Sequence, residues 1–208
     1  MQHRQIILAS GSPRRKDLMR LMGLTYEVIP SDFDEHLDDS RSPEEVAKEL
    51  GLGKALTVAR KYPEAIVIGS DTVVSLNGKQ YGKAVDEADA RQMLQELAGS
   101  CNIVSSSLAV VCLAEDVQIV DVSDAYVYFK PLNNQAVEAY LKTGDWKDKA
   151  AAYGVQSGAD VFVEHAEGRY DTILGLPTKR LAEILESFGI SAHEAVVEPP
   201  ETLRLQQV

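Results

Sequence analysis

Two strand-like runs, roughly Ile103 to Leu113 and Val117 to Phe129, are joined by little more than the tight segment "AEDV". The first carries Ile and Val, and the second adds Tyr and Phe to them. So short a connection suits antiparallel neighbours, because a parallel crossover needs about a dozen residues or more. A long β-hairpin is therefore predicted for the second half of the chain, and the rest must pack around it.

Before the hairpin, Ile6 to Ala9 read as a short buried strand. Pro13 then fits a first helical turn, Leu18, Leu21 and Met22 form an apolar stripe, and Gly23 is a natural stop. "TYEVIP" reads as a second strand leading into the acidic segment "SDFDEHLDDS". Ser42-Pro43-Glu44-Glu45 is a capping box opening a helix towards Arg60, with Gly51 and Gly53 weakening its middle. "AIVIGSDTVVSL" is apolar on both alternating faces up to a polar centre, as in a central strand. Asn77-Gly78 marks a hairpin turn and Asp86 caps a helix ending at Gly99. After the long hairpin come the helix "NQAVEAYLKTG", a loop through Asp145 to Lys149, short strands around Val155 and Val161, and a helix from Thr178 to Phe188. Strands and helices alternate without a strict βαβ repeat, which predicts a mixed α/β fold with long antiparallel ribbons and a cleft. Residues 1–195 are read as one domain of two lobes around that cleft, and residues 196–208, with their double proline, as a loosely packed tail.

The chain has 208 residues, enough for a real core, with ordinary proportions of hydrophobic (45%) and charged (25%) residues. No run approaches the roughly 18 apolar residues of a membrane span, and the first residues are too short an apolar stretch for a secretory signal. A cytoplasmic protein is expected. Cys101 and Cys112 have neither CxxC spacing nor metal-site partners and are expected to be reduced. With 32 acids against 21 bases and a net charge of −11, the chain is unsuited to broad nucleic-acid binding. A small phosphorylated ligand held by a few local cations remains open.

That opening gives Arg14 and Arg15 their interest. They stand where "IILASGSP" passes from strand to helix, and cations there oppose the helix dipole unless an anion joins them. Guanidinium forks suit phosphate oxygens, although two solvated arginines are the plain alternative. Asp71 alternates with Val67 and Val73 in the central strand, so its carboxylate needs backbone donors, a cation or a metal. A structural aspartate, a general base and a metal ligand all fit. Lys54 falls on an apolar helical stripe with Val46, Leu50 and Val58, from which it either snorkels or reaches a phosphate. Lys83 and Lys149 are loop lysines with no strong signal of their own. Among Asp32, Asp34, Glu35, Asp38 and Asp39, one acid turned inward beside Asp71 would suit a hard ion of the Mg²⁺ type. No P-loop, GxGxxG fingerprint or GxSxG elbow is present, and the four histidines are scattered.

Taken together, "LASGSPRR", Asp34-Glu35, "GKA" at Gly53–Ala55, "IGSDTVV", "DKAAAYGVQ" and "GRYDTILGLP" resemble, in order, the Maf family of nucleoside triphosphate pyrophosphatases, from residue 6 to about 185. The resemblance implies an elongated α/β fold with a central substrate cleft, related to inosine triphosphate pyrophosphatases. It implies hydrolysis between the α- and β-phosphates with Mg²⁺ or Mn²⁺, and a homodimer. The family's catalytic aspartate falls on Asp71. Arg14, Thr72 and Gln156 match the branch acting on dTTP and UTP, whereas the 7-methyl-GTP branch resembles "SPWR" with an acid after the aspartate. Ala84, Asn102, Ala151 and Ser157 depart from the family pattern of Pro, His, Gly and Gly.

On this resemblance Arg14, Arg15, Lys54, Lys83 and Lys149 hold the triphosphate, helped by the segment from Ser10 to Ser12. Asp71 and Glu35 hold the metal, Asp71 activates water, and Gln156 reads the pyrimidine edge. Two alternatives stand beside dTTP/UTP hydrolysis. One is broad clearance of modified nucleotides; the other is a nucleotide-binding regulator of cell division, after the family's association with septum formation.

Overall fold

A computed structural model describes residues 4–156, 158, 162–201, 203 and 205–206. Val161 and Ser157 lie outside the described residues. The elements run β1 (Ile6–Leu8), α1 (Pro13–Leu21), β2 (Glu27–Val28), α2 (Pro43–Ala59), β3 (Ile66–Gly69), β4 (Thr72–Leu76), β5 (Lys79–Tyr81), α3 (Glu87–Leu97), β6 (Cys101–Cys112), β7 (Val117–Phe129), α4 (Asn134–Leu141), β8 (Val163–Glu167), α5 (Tyr170–Leu174), α6 (Thr178–Ser187) and β9 (Leu205–Gln206). Among the described residues they form one mixed sheet ordered β2-β1-β3-β6-β7-β8-β9, with the β4–β5 hairpin also paired to β6. This is the expected mixed α/β architecture.

The expected long hairpin is the spine. β6 and β7 pair without a break from Cys101↔Tyr128 to Cys112↔Val117, and a short 3₁₀ turn, Leu113–Glu115, closes it. The turn exits through Asp116 in the left-handed region, at φ 54°. Local signals act as read. The Ser42 hydroxyl accepts from the Glu45 N–H and the Ser42 N–H donates to the Glu45 carboxylate. Asp86 accepts from the Asp89 N–H. Asn77 and Gly78 both take positive φ between β4 and β5, as a two-residue hairpin turn demands.

The double-sided apolar strands follow from a three-layer arrangement. Ile6, Leu8, Ile66 and Ile68 face a large core shared with α1, α3, α4 and α6. Ile7, Ala9 and Val67 face the opposite way, under Ala55, Val58 and Ala59 of α2. Further along α2, Val46, Ala47 and Leu50 cover Val73.

Several expectations need correction. Leu21 is 55% exposed, and Met19 takes its place beside Leu18 and Met22 on the buried side of α1. The "TYEVIP" strand shrinks to Glu27–Val28. Val155 lies in a turn region, and the strand of that segment is β8. Part of the C-terminal segment is anchored among its described residues. Leu203 is buried, and Leu205–Gln206 pair in parallel with Ala166 and Glu167 at the edge of β8, whose backbone groups would otherwise lack ladder partners there. Both cysteines are free.

The "IVIGSDTVVSL" run forms two strands rather than one, yet its register against β6 never slips: Gly69 faces Ala109 and Thr72 faces Ser106. At the interruption the Ser107 N–H still donates to the Asp71 carbonyl (2.9 Å), but the Asp71 N–H donates to the Ser107 hydroxyl (3.0 Å). A side chain thus substitutes for a ladder carbonyl where the sheet meets its cleft.

Candidate active site

A cleft of about 770 Å³ opens at that interruption and is lined from both sides of the sheet. This volume suits a ligand of nucleotide size. Its lining brings together Ser10, Ser12, Arg14, Arg15, Glu35, Lys54, Asp71, Thr72, Lys83 and Lys149. They come from α1, the 31–41 segment, α2, the start of β4 and two loops. Gln156 alone among the expected site residues is not brought in; it is exposed and outside the lining.

Asp71 is buried beside Lys54, whose ammonium donates to its carboxylate. The same ammonium pairs with Glu35 at 2.9 Å. Burial of the Glu35 carboxyl opposes its ionisation, but the hydrogen bond and charge of Lys54, with the charges of Lys83 and Arg15, outweigh this and hold its pKa below the ordinary value. The other four acids of the segment go elsewhere. Asp32 lies 3.9 Å from Lys61, Asp34 pairs with His36, Asp38 caps Ser40, and Asp39 accepts from the Gln80 N–H. Glu35 lines the cleft through its pairing with Lys54, and two residues before it Phe33 packs against Gly53 so closely that a Cβ there would lie 2.3 Å from the ring. The Gln80 amide also donates to the Asp38 and Arg41 carbonyls.

The two adjacent arginines have separate situations. Arg15 is 8% exposed and donates to the Gly175 carbonyl (2.8 Å), the Ser10 hydroxyl (3.2 Å) and the Thr72 hydroxyl (3.0 Å). It ties α1 to the α5–α6 turn and to β4. Arg14 is half-buried on the cleft wall, where burial lowers its pKa. The pKa of Lys149 is likewise lowered, by burial first and then by the charge of Arg14. Lys83 is exposed on the rim, and its backbone bridges to Ala150, so the two lysine-bearing loops meet. None of Arg14, Arg15, Lys83 and Lys149 is ion-paired to a carboxylate among the described residues. The α1 N-terminus beside them has no side-chain cap and no acid in its first turn. A chain of net charge −11 thus concentrates unpaired cations and uncapped amides at one place, which is an anion site.

Glu35 and Asp71 fit a hard divalent cation in one respect: both present carboxylate oxygens to a single position, which Lys54 holds here. Among the described residues no group of three or more His, Cys, Asp or Glu side chains could hold an ion unaided. The remaining ligands would have to come from water and phosphate.

Sequence reasoning missed the supports. Ser106 bonds Thr72 and the Thr172 carbonyl, Ser107 holds the Asp71 amide, and Ser70 donates to the Gly175 carbonyl that anchors Arg15. The signal was present as "SSS" at Ser105–Ser107, three consecutive hydroxyls inside a buried strand. Tyr81 and Tyr153 also line the cleft; the Tyr153 hydroxyl donates to buried Asn102 at 2.7 Å.

A family profile described as Maf-like protein matches residues 5–188. Relatives along nearly the whole chain carry the name dTTP/UTP pyrophosphatase. That of Dictyoglomus thermophilum is 41% identical over 189 residues, covering 90% of this chain and 98% of its own. That of Symbiobacterium thermophilum is 39% identical over 185 residues, covering 89% and 94%. That of Clostridioides difficile is 38% identical over 183 residues, covering 88% and 94%.

Proposed function

The chain belongs to the Maf family, and we propose that it hydrolyses dTTP and UTP to the monophosphate and pyrophosphate, the activity for which these relatives are named. The observation that carries the reading is the convergence of four cations without carboxylate partners upon the same cleft as Asp71 and Glu35.

In this reading Arg14 and the uncapped start of α1 hold phosphate oxygens from one wall, and Lys83 and Lys149 from the loops opposite. Arg15 chiefly fixes the wall and offers its remaining N–H groups. Asp71 orients a water and takes its proton as the water oxygen bonds to the α-phosphorus and the bond to the pyrophosphate oxygen breaks. Charge growing on the departing pyrophosphate meets preorganised cations, in such chemistry the largest stabilising effect. A divalent cation held by Glu35 and Asp71 would neutralise phosphate charge when bound. Thr72, fixed by Arg15 and Ser106, and Arg14 are the base-choice positions that line the cleft. The cytoplasmic setting and a homodimer rest on the sequence reading; among the described residues no helix is long and apolar enough to cross a membrane.

The test is a panel of dTTP, UTP, 7-methyl-GTP and inosine triphosphate with Mg²⁺ or Mn²⁺, identifying products by chromatography. Monophosphate plus pyrophosphate from dTTP and UTP is expected, with Asp71→Asn slower by about 10²–10⁴. Release of diphosphate and inorganic phosphate instead would refute the proposed bond cleavage, and equal turnover of all four would replace pyrimidine selectivity with broad clearance.

A further inference from the structure

Lys54 is an unusual partner for two acids in a cleft built for anions. It projects from the buried stripe of α2, its side chain is 10% exposed, and its ammonium is shared between Glu35 and Asp71. The other cations of the cleft have no carboxylate partner among the described residues. Lys54 therefore stands where a cation between the two carboxylates would stand, and the two cannot share that place.

We infer that Lys54 is an internal counter-ion, occupying the divalent-cation position between Glu35 and Asp71 and withholding it until a polyphosphate draws the ammonium away. The inference rests on the pyrophosphatase reading for the identity of that polyphosphate only. Three features of the chain support it. Asp71 is buried and the Glu35 side chain is 47% exposed; left alone around one position, the two carboxylates would repel each other, and one ammonium between them lessens that repulsion. A hard ion of the Mg²⁺ type sheds water reluctantly and is ordinarily held by one or two carboxylates together with substrate phosphates; Glu35 and Asp71 alone supply no more than the protein's share. Lys54 also has somewhere to go, because its long stem ends in the same cleft as Arg14, Lys83 and Lys149, where an incoming anion would be held. Exchange of one cation for another keeps a positive charge between the carboxylates at every stage. Binding of metal and nucleotide is then coupled through a single side chain.

The experiment is titration of the full chain with Mn²⁺ alone, without nucleotide, followed by electron paramagnetic resonance of the free ion. Lys54→Met is expected to bind Mn²⁺ at least about tenfold more tightly than the unsubstituted chain, as removal of a full charge within a few ångströms of two carboxylates should produce. Asp71→Asn in the Lys54→Met background should abolish the gain. Lys83→Met separates occupancy from general field, since Lys83 acts on Glu35 through its charge alone. Its effect should stay well below that of Lys54→Met. Should Lys54→Met fail to fold by circular dichroism, Lys54→Gln serves in its place. Equal Mn²⁺ affinity of the unsubstituted and Lys54-substituted chains, or an equal gain from Lys83→Met, overturns the inference. Because no nucleotide enters the titration, that result leaves the hydrolysis reading standing, and failure of the product assay leaves the titration readable.

Discussion

Replacement of Gly51 by Ala tests whether the close approach of α2 to the β3–β4 interruption holds Asp71 in place. A Cβ at position 51 would lie 2.3 Å from the Ser107 hydroxyl oxygen, 3.2 Å from the Ser107 Cβ and 3.4 Å from the Asp71 nitrogen. The hydroxyl must therefore rotate away, and with it goes the acceptor of the Asp71 N–H. Ser107 is fully buried, so water cannot readily replace it. An unsatisfied buried donor costs about 1–3 kcal/mol, while Gly→Ala inside a helix returns roughly 1 kcal/mol. The net loss is about 1 kcal/mol, or some 2–4 °C in Tm for a chain of this size. The effect on rate should be out of proportion. Asp71 loses the hydrogen bond that fixes its backbone, and a misplacement of about 1 Å commonly costs 10²-fold. The assay pairs thermal melting with kcat/KM for pyrophosphate release from dTTP. Ser107→Ala should lower the rate by the same route, and the double variant should be little worse than either, since both remove one acceptor. A Gly51→Ala variant as stable as the original and fully active would refute the claim that this contact positions the Asp71 carboxylate.

Ala151 adopts φ 55° and is fully buried, at a position where the family pattern has glycine. Ala151→Gly should relieve the left-handed strain of about 1–2 kcal/mol less the extra chain entropy of about 0.5–1 kcal/mol, raising Tm by a few degrees; a lower Tm would contradict this. Asn102 joins the Tyr153 hydroxyl to the Val127 carbonyl, so Asn102→Leu should lose about 1–3 kcal/mol in urea unfolding, and Asn102→His, which retains a ring nitrogen for Tyr153, should lose less. The Glu96 carboxyl is lowered to about 2 by hydrogen bonds from Lys79, Gln92 and Tyr81. Its folded pKa lies below the unfolded one, so its stabilising contribution is complete above the ordinary value of 4.5 and is lost as pH falls through about 2. A carboxyl ¹³C titration with a midpoint near 4.5, or an acid-unfolding curve unchanged in Glu96→Gln, would remove this link between α3 and the β5 residue Tyr81.

What could be read from the sequence was whatever is decided within a few residues. The Ser42 capping box, the Asn77-Gly78 turn and the tight connection of the long hairpin are local chemistry, and each acts where it was expected. Periodicity likewise placed Lys54 on the buried stripe of α2 and Asp71 on the face of Val67 and Val73. Decisions taken by distant partners were not readable. Five acids in the 31–41 segment differ little in local character, and Glu35 is singled out because Phe33 lodges against Gly53, which fixes how the segment crosses α2. The C-terminal segment looks polar and loose, yet the open edge of β8 supplies Leu205 and Gln206 with a ladder. Arg14 and Arg15 make the point most sharply, since two identical neighbours cannot be told apart by composition. The distinction comes from Gly175, 160 residues on, whose carbonyl accepts from Arg15 and from Ser70 together. Successive helical residues point about 100° apart, so fixing Arg15 into the α5–α6 turn turns Arg14 towards the cleft wall. One buried guanidinium thereby sets the orientation of the other, and the pair divides into a fastener and a hand.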